Sequence, residues 1–237
     1  MRDSTENPCV TRMEPCKLSI GRGAGRVGRI GAMKRSTLLA ALAALPLCGC
    51  AQETANTNQT DTATMSNTNK ALVVYYSRTG ENYAVGNIAE GNTAIVAKMI
   101  AERTGADLFE IKTEKEYAAS YDVCIEEAKK ELRDDARPAI VGDVADFDQY
   151  DTIYVGYPIW WGVPPMCVFT FFEKHDWAGK TVKPFATHEG SGLGGSVRAI
   201  RKALPGATVE DGLAIQGQTA QNDRPAAQAA VDRWLGL

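Results

Sequence analysis

The run Leu72-Val73-Val74-Tyr75-Tyr76 is broken without transition by Ser77-Arg78-Thr79-Gly80-Glu81-Asn82. Consecutive apolar residues, β-branched and aromatic, offer no polar side to water. They read as a strand buried on both faces, the kind found in parallel sheets. The next six residues are small or polar, hydroxyl-bearing and include a glycine, so they read as a turn at the strand's carboxyl end, where α/β sheets bind ligands. Backbone N–H groups in such a turn, joined by Ser and Thr hydroxyls, suit a phosphate. An ordinary strand-to-helix turn is the plainer alternative.

The same grammar recurs along the chain. A polar insertion, residues 83–90, leads through Gly91-Asn92-Thr93 into a helix-spaced pattern, with Asn92 or Thr93 as the expected cap and Gly105 as the stop. A short strand is expected at 107–111 and a helix at 117–133, halted by Arg137-Pro138, then a loop over 138–149. A second buried strand, 152–156, ends in Tyr157-Pro158-Ile159-Trp160-Trp161-Gly162, and Pro164-Pro165 opens a helix at 166–174. A third, 181–185, ends in Ala186-Thr187-His188-Glu189-Gly190-Ser191-Gly192, before a helix at 196–204. A last strand at 208–213 and a closing helix at 224–235 complete the pattern. Strand–helix alternation predicts a doubly wound α/β domain over 71–237, with a parallel sheet and helices on both faces.

The residues before this domain read differently. Met33-Lys34-Arg35, a short apolar run and Cys48-Gly49-Cys50 read as a secretory signal whose natural start is Met33, and the apolar run is too short to span a bilayer, which needs about 20 residues. Leu47-Cys48-Gly49-Cys50 resembles a bacterial lipobox, so Cys50 is the expected lipid-bearing residue. Residues 51–70 are rich in Thr and Asn and read as a disordered tether, able to hold the domain roughly 25 Å from an anchor. The expectation is an exported protein, fixed to a membrane on its extracytoplasmic side by lipid alone.

Charge narrows the partners. Residues 1–50 carry 8 basic and 3 acidic side chains, leaving 18 and 26 for the rest. An acidic domain argues against nucleic acid. The six cysteines include no C-x-x-C pair, and their positions fit neither a disulfide framework nor a zinc site. Cys124 and Cys167 fall on predicted helices and read as buried apolar groups. Ser191 is not a nucleophile elbow, because Glu189 stands where G-x-S-x-G needs its first glycine.

Three strands thus end in ligand-suited loops, and in a doubly wound sheet all three open onto one edge. The first suits a phosphate. The second offers two indoles that could cover a flat ring, although tryptophans there could equally be core. The third is glycine-rich, so its backbone can approach the edge of a planar heterocycle. A phosphate, a flat face and a polar edge together describe flavin mononucleotide, FMN.

Those loops, YYSRTGEN, YPIWWG and THEGSGLG in that order and spacing, resemble the flavodoxin-like FMN-binding family, and most closely its small bacterial members. The resemblance spans 71–237. It implies a five-stranded sheet of order 2-1-3-4-5 and a non-covalently bound FMN. By the same resemblance Ser77, Thr79, Gly80 and Asn82 match the phosphate loop, with Arg78 beside it. Trp160 and Trp161, within Pro158-Ile159-Trp160-Trp161-Gly162, match the loop flanking the ring. Thr187, Glu189, Gly190 and Gly192 match the loop at the ring's edge, where His188 is either a proton donor or a turn residue. One departure stands out: the insertion separates Thr79-Gly80 from Gly91-Asn92-Thr93. The function these features imply is electron transfer with a redox partner protein or a quinone-like acceptor. The alternatives are an NAD(P)H-dependent reductase of quinones or similar small acceptors, and a non-redox binding lipoprotein that has lost FMN.

Overall fold

The structure is a computed structural model that describes residues 70–237. The expected signal segment, the lipobox with Cys50 and the tether lie outside the described residues. In chain order the elements are β1 Lys70–Tyr75, β2 Gly80–Asn82, β3 Gly86–Ile88, α1 Asn92–Thr104, β4 Asp107–Glu110, β5 Lys112–Thr113, α2 Tyr121–Arg133 and β6 Ile140–Val141. After a 3-10 turn, Phe147–Gln149, come β7 Tyr150–Pro158, α3 Met166–Glu173, β8 Thr181–His188, α4 Ser196–Ala203, β9 Thr208–Val209, β10 Leu213–Gln216, α5 Gly217–Asn222 and α6 Arg224–Leu235.

The central sheet runs β4-β1-β7-β8-β10 with every pairing parallel. Numbered as core strands this is the order 2-1-3-4-5. The switch in direction falls at β1, between β4 and β7. Strict alternation along β1 divides the core. Leu72, Val74 and Tyr76 face a cluster built with Cys167, Val168 and Phe171 of α3 and Ile200 of α4. Val73 and Tyr75 face one built with Ile95, Ala97 and Ile100 of α1 and Ala227 and Val231 of α6. Successive side chains of a strand point to opposite faces, so a continuous apolar run is what helices on both faces require.

The fifth strand is split, where a single strand was expected over 208–213. Its first part pairs Val209 with Val182, and its second pairs Leu213 with Phe185. One residue too many lies between those pairs, which breaks the ladder as a bulge does. Gly212 sits in the gap, where a Cβ would lie 3.0 Å from Leu193 Cδ2.

Three other segments depart from the sequence reading because tertiary contacts outweigh local pattern. The insertion forms the turn and second strand of a hairpin, with β2 paired antiparallel with β3. α2 begins at Tyr121, not at 117, because the preceding residues are held extended by side chains. The Ala118 N–H donates to Glu127 Oε2, and the Ala118 and Ala119 carbonyls accept from Arg78. The 138–149 loop contains β6, paired with β5. His175 looks from the sequence like a surface helix end, yet its ring is stacked 4.0 Å from Phe147 and Nε2 lies 2.9 Å from Asp143. Cys124 and Cys167 are free thiols buried on α2 and α3, as their helical positions predict.

Candidate functional site

β1, β7 and β8 end side by side, so the loops at their carboxyl ends meet at one edge. The cleft between them has a volume of about 290 Å³, near the lower end for small-molecule sites. Of the sequence-predicted residues it is lined by Arg78 and Asn82, by Pro158, Ile159, Trp160 and Trp161, and by Thr187, His188 and Glu189. All three loops contribute. Ser77, Thr79, Gly80, Gly162, Gly190 and Gly192 are not among the lining residues.

The first loop is joined to α1 despite the insertion. Gly91, not Asn92 or Thr93, is the residue before the helix, and it offers no side-chain cap. The cap comes from elsewhere: Ser77 Oγ accepts the Ala94 N–H at 3.0 Å. A Cβ on Gly91 would lie 2.2 Å from Ser77 Oγ and 2.6 Å from the Arg78 carbonyl oxygen. Glycine is therefore required for the hairpin to return the chain to the loop it left. The N-terminus of a 13-residue helix, with its free N–H groups and positive dipole end, stands beside Ser77 as an anion site would need. Arg78 is committed differently. Its guanidinium donates to the Glu81 carbonyl and to the Ala118 and Ala119 carbonyls at 2.8 and 2.9 Å. It ties the hairpin's base to the start of α2.

The second loop separates its two tryptophans. Trp160 and Val163 exchange backbone hydrogen bonds at 3.0 and 3.1 Å, enclosing a two-residue turn. Trp161 and Gly162 occupy that turn with φ of 51° and 84°, the left-handed pair a tight hairpin turn demands. Such a φ costs an ordinary L-residue about 1–2 kcal/mol, and strain of this kind concentrates at functional sites. The turn throws the Trp161 indole outward, half exposed, with Nε1 donating to the Ile125 carbonyl at 2.9 Å and Lys129 Nζ 5.2 Å from the ring. Trp160 turns inward, edge-on to Tyr76 at 5.5 Å and to Tyr117 at 4.9 Å. It belongs to a packed aromatic cluster that borders the cleft.

The third loop carries the titratable wall. Thr187 is buried and shares a 2.8 Å hydrogen bond with Thr93, which pins β8 to α1. His188 Nδ1 accepts the Gly190 N–H at 3.0 Å, and loss of solvent lowers its pKa. That bond makes Nδ1 an acceptor, which leaves the neutral ring's proton on Nε2. Desolvation raises the Glu189 pKa, and Glu189 Oε1 is buried with no hydrogen-bond partner among the described residues. Gly190 and Gly192 adopt φ of 114° and 57°, which turns the loop back so that the Gly195 N–H reaches the Gly162 carbonyl at 2.8 Å. Loops two and three are thus one tied unit.

Sequence reasoning missed one wall entirely. Tyr121, Cys124, Ile125 and Ala128 of α2 line the cleft, with Asn92 and Tyr83. The α2 residues recur at helical spacing, which reads identically for a core face and for a cleft wall. Tyr83 did leave a signal: it is the one aromatic residue in the insertion over 83–90.

Known proteins share this sequence pattern and this architecture. The family described as Flavodoxin matches residues 70–228. The fold of a protein from Bacteroides uniformis, classed as a flavoprotein, matches with a TM-score of 0.58 and 32% identity, over 71% of this chain and 98% of that one. A similarly classed protein from Bacteroides eggerthii matches with a TM-score of 0.57 and 31% identity, over 70% and 96%. A Lactobacillus acidophilus flavoprotein solved in complex with FMN matches with a TM-score of 0.51 and 24% identity, over 65% and 97%, a likeness of fold. No curated protein matches the chain.

Proposed function

The chain belongs to the flavodoxin family, and on that premise we propose that it binds FMN non-covalently in the cleft and exchanges electrons through it. The observation that carries this reading is the convergence of three chemically different loops on one cleft. The residues fit the group. The Ser77–Asn82 loop and the start of α1, brought together by the close approach that Gly91 permits, offer hydroxyls and N–H groups to a phosphate. The outward indole of Trp161 offers a flat apolar face. The Thr187–Gly192 loop offers backbone groups, the His188 ring and an unpartnered carboxyl oxygen to a heterocycle's edge.

FMN, once bound, supplies one- and two-electron redox chemistry; the protein's part is to bind, orient and tune it. Trp161 and the tied loops would hold the ring and keep water from one face. Glu189, whose pKa loss of solvent raises, would place a carboxyl group beside the ring. His188 would present Nε2–H. The half-exposed rim supports exchange with a partner protein or a quinone-class acceptor at the cleft mouth. Export and a lipid on Cys50 belong to the same proposal, since an extracytoplasmic carrier would meet membrane-borne acceptors.

The absorbance spectrum of the purified full chain tests the central point. Flavin bands on the protein, or uptake of added FMN by colourless protein, are expected. Colourless protein that takes up no FMN would sink the reading. Mixing with NADPH and with a quinone separates the carrier from a reductase: a carrier is reduced slowly by NADPH and reoxidised by the quinone. Fatty-acid labelling lost in Cys50→Ala supports the anchor, and equal labelling rejects it.

A further inference from the structure

Tyr83 stands out among the cleft residues. It is 62% exposed, although a buried aromatic contributes more to stability than an exposed one. Its position is nevertheless tightly specified. It lies at the tip of the β2–β3 hairpin, beside Ala84, which holds φ at 63°, and its carbonyl accepts the Val85 N–H at 2.8 Å. The hairpin is tied at its base by the Arg78 guanidinium to the carbonyls of residues 118 and 119. Glu81 Oε2 adds a second tie, accepting the Tyr121 N–H at 2.9 Å in the first turn of α2, where a carboxylate is favoured by the helix dipole. These ties bring the Tyr83 ring onto that of Tyr121, at 5.9 Å and 28° between planes. Both rings line the cleft.

The cleft therefore has two aromatic surfaces at its mouth: the Trp161 indole from loop two, and the tyrosine stack from the hairpin and α2. Trp160 is not a third, because Tyr76 and Tyr117 already occupy its ring. A phenol brought to a cleft mouth by these ties and left mostly exposed has a face to give to a planar ligand.

We propose that Tyr83 is a ring-covering residue of this site, and that the hairpin latched by Arg78 and Glu81 positions it. The proposal rests on the FMN reading above and deepens it. It assigns Tyr83 to the flat tricyclic part of the ligand, not to the phosphate, and assigns Arg78 to the latch.

The test is a fluorescence titration of FMN-free full-length protein with FMN and, separately, with riboflavin, which has the same ring and no phosphate. Tyr83→Ala should weaken both ligands by a similar factor, roughly ten-fold, equivalent to about 1.4 kcal/mol. Tyr83→Phe should bind both as wild type does. Iodide should quench bound flavin in Tyr83→Ala and not in wild type. Arg78→Gln, with the latch released, should weaken both ligands alike, whereas Thr79→Ala should weaken FMN alone. If wild type binds FMN and Tyr83→Ala binds both ligands unchanged, or loses FMN only, the proposal is overturned while the FMN reading stands. If wild type binds neither ligand, the FMN reading itself falls.

Discussion

The two ends of the sheet use aromatic residues in opposite ways. Around the amino ends of the strands, Phe147, Phe171, Phe172, Trp177 and the His175 ring pack against one another. Phe171 lies 6.0 Å from Phe147 and 4.6 Å from His175, and Trp177 lies 5.0 Å from Phe147 and 5.3 Å from Phe172. Trp177 Nε1 donates to the Phe172 carbonyl, and Lys180 Nζ is held by three backbone carbonyls. The indole and the ammonium there each have a place to go, as a closed core demands. Around the carboxyl ends, Tyr83 and Trp161 stay half or more exposed, Trp161 is strained, and Glu189 Oε1 lacks a partner among the described residues. The first region is closed by the chain's own packed rings, although the buried His175 Nε2, 2.9 Å from Asp143, makes no hydrogen bond among the described residues. The second is left incomplete in just the groups a planar, anionic ligand could complete.

The sharpest contrast should come from truncating Phe171. Removing a ring with no solvent exposure is expected to destabilise the fold by about 3–5 kcal/mol, read by chemical denaturation, with FMN affinity changed only through the loss of folded protein. A loss below about 1 kcal/mol would erase the distinction between the two ends. Gly91→Ala is expected to cost about 1–3 kcal/mol, because the new methyl meets Ser77 Oγ and the Arg78 carbonyl. It should weaken FMN more than riboflavin, since it pushes the phosphate loop off α1. Trp161→Gly should leave stability within about 1 kcal/mol of wild type, because relief of the left-handed φ offsets lost contacts. It should still weaken both flavins.

The smallest effect concerns pH. Loss of solvent raises the folded-state pKa of Glu189 above its unfolded value. Its neutral form therefore contributes fully in acid, below the unfolded pKa, and that contribution is lost as pH rises through the folded pKa. Glu189→Gln stays neutral throughout. Its melting temperature should match wild type below the ordinary carboxylate pKa, exceed it increasingly as pH rises through the raised folded-state pKa, and hold that excess above it. A difference that is constant with pH would refute the assignment.

Much of the fold was legible in the residues alone. Uninterrupted apolar runs such as Leu72–Tyr76 could only be strands covered on both faces. Their abrupt polar ends located the loops, and the alternation with helices fixed a parallel, doubly wound sheet. The fifth strand was located but not its break, because the mismatch with β8 is a matter of register between segments distant in sequence. The role of Arg78 was equally hidden. Its partners are backbone carbonyls some 40 residues away, and a carbonyl leaves no mark in a sequence. The same holds for α2, whose Tyr121, Cys124, Ile125 and Ala128 look like any buried stripe.

By itself, then, the order of residues determined the strands, their double-sided burial and the three loops, since each depends on neighbours along the chain and on the strict twofold period of a strand. Only the tertiary structure decided which of two adjacent tryptophans faces out, that a glycine lets the hairpin rejoin its origin, and that a tyrosine from the insertion meets a helix 38 residues on. Those outcomes depend on distances between segments that sequence separation does not encode, and the packing of a sheet edge fixes them all at once.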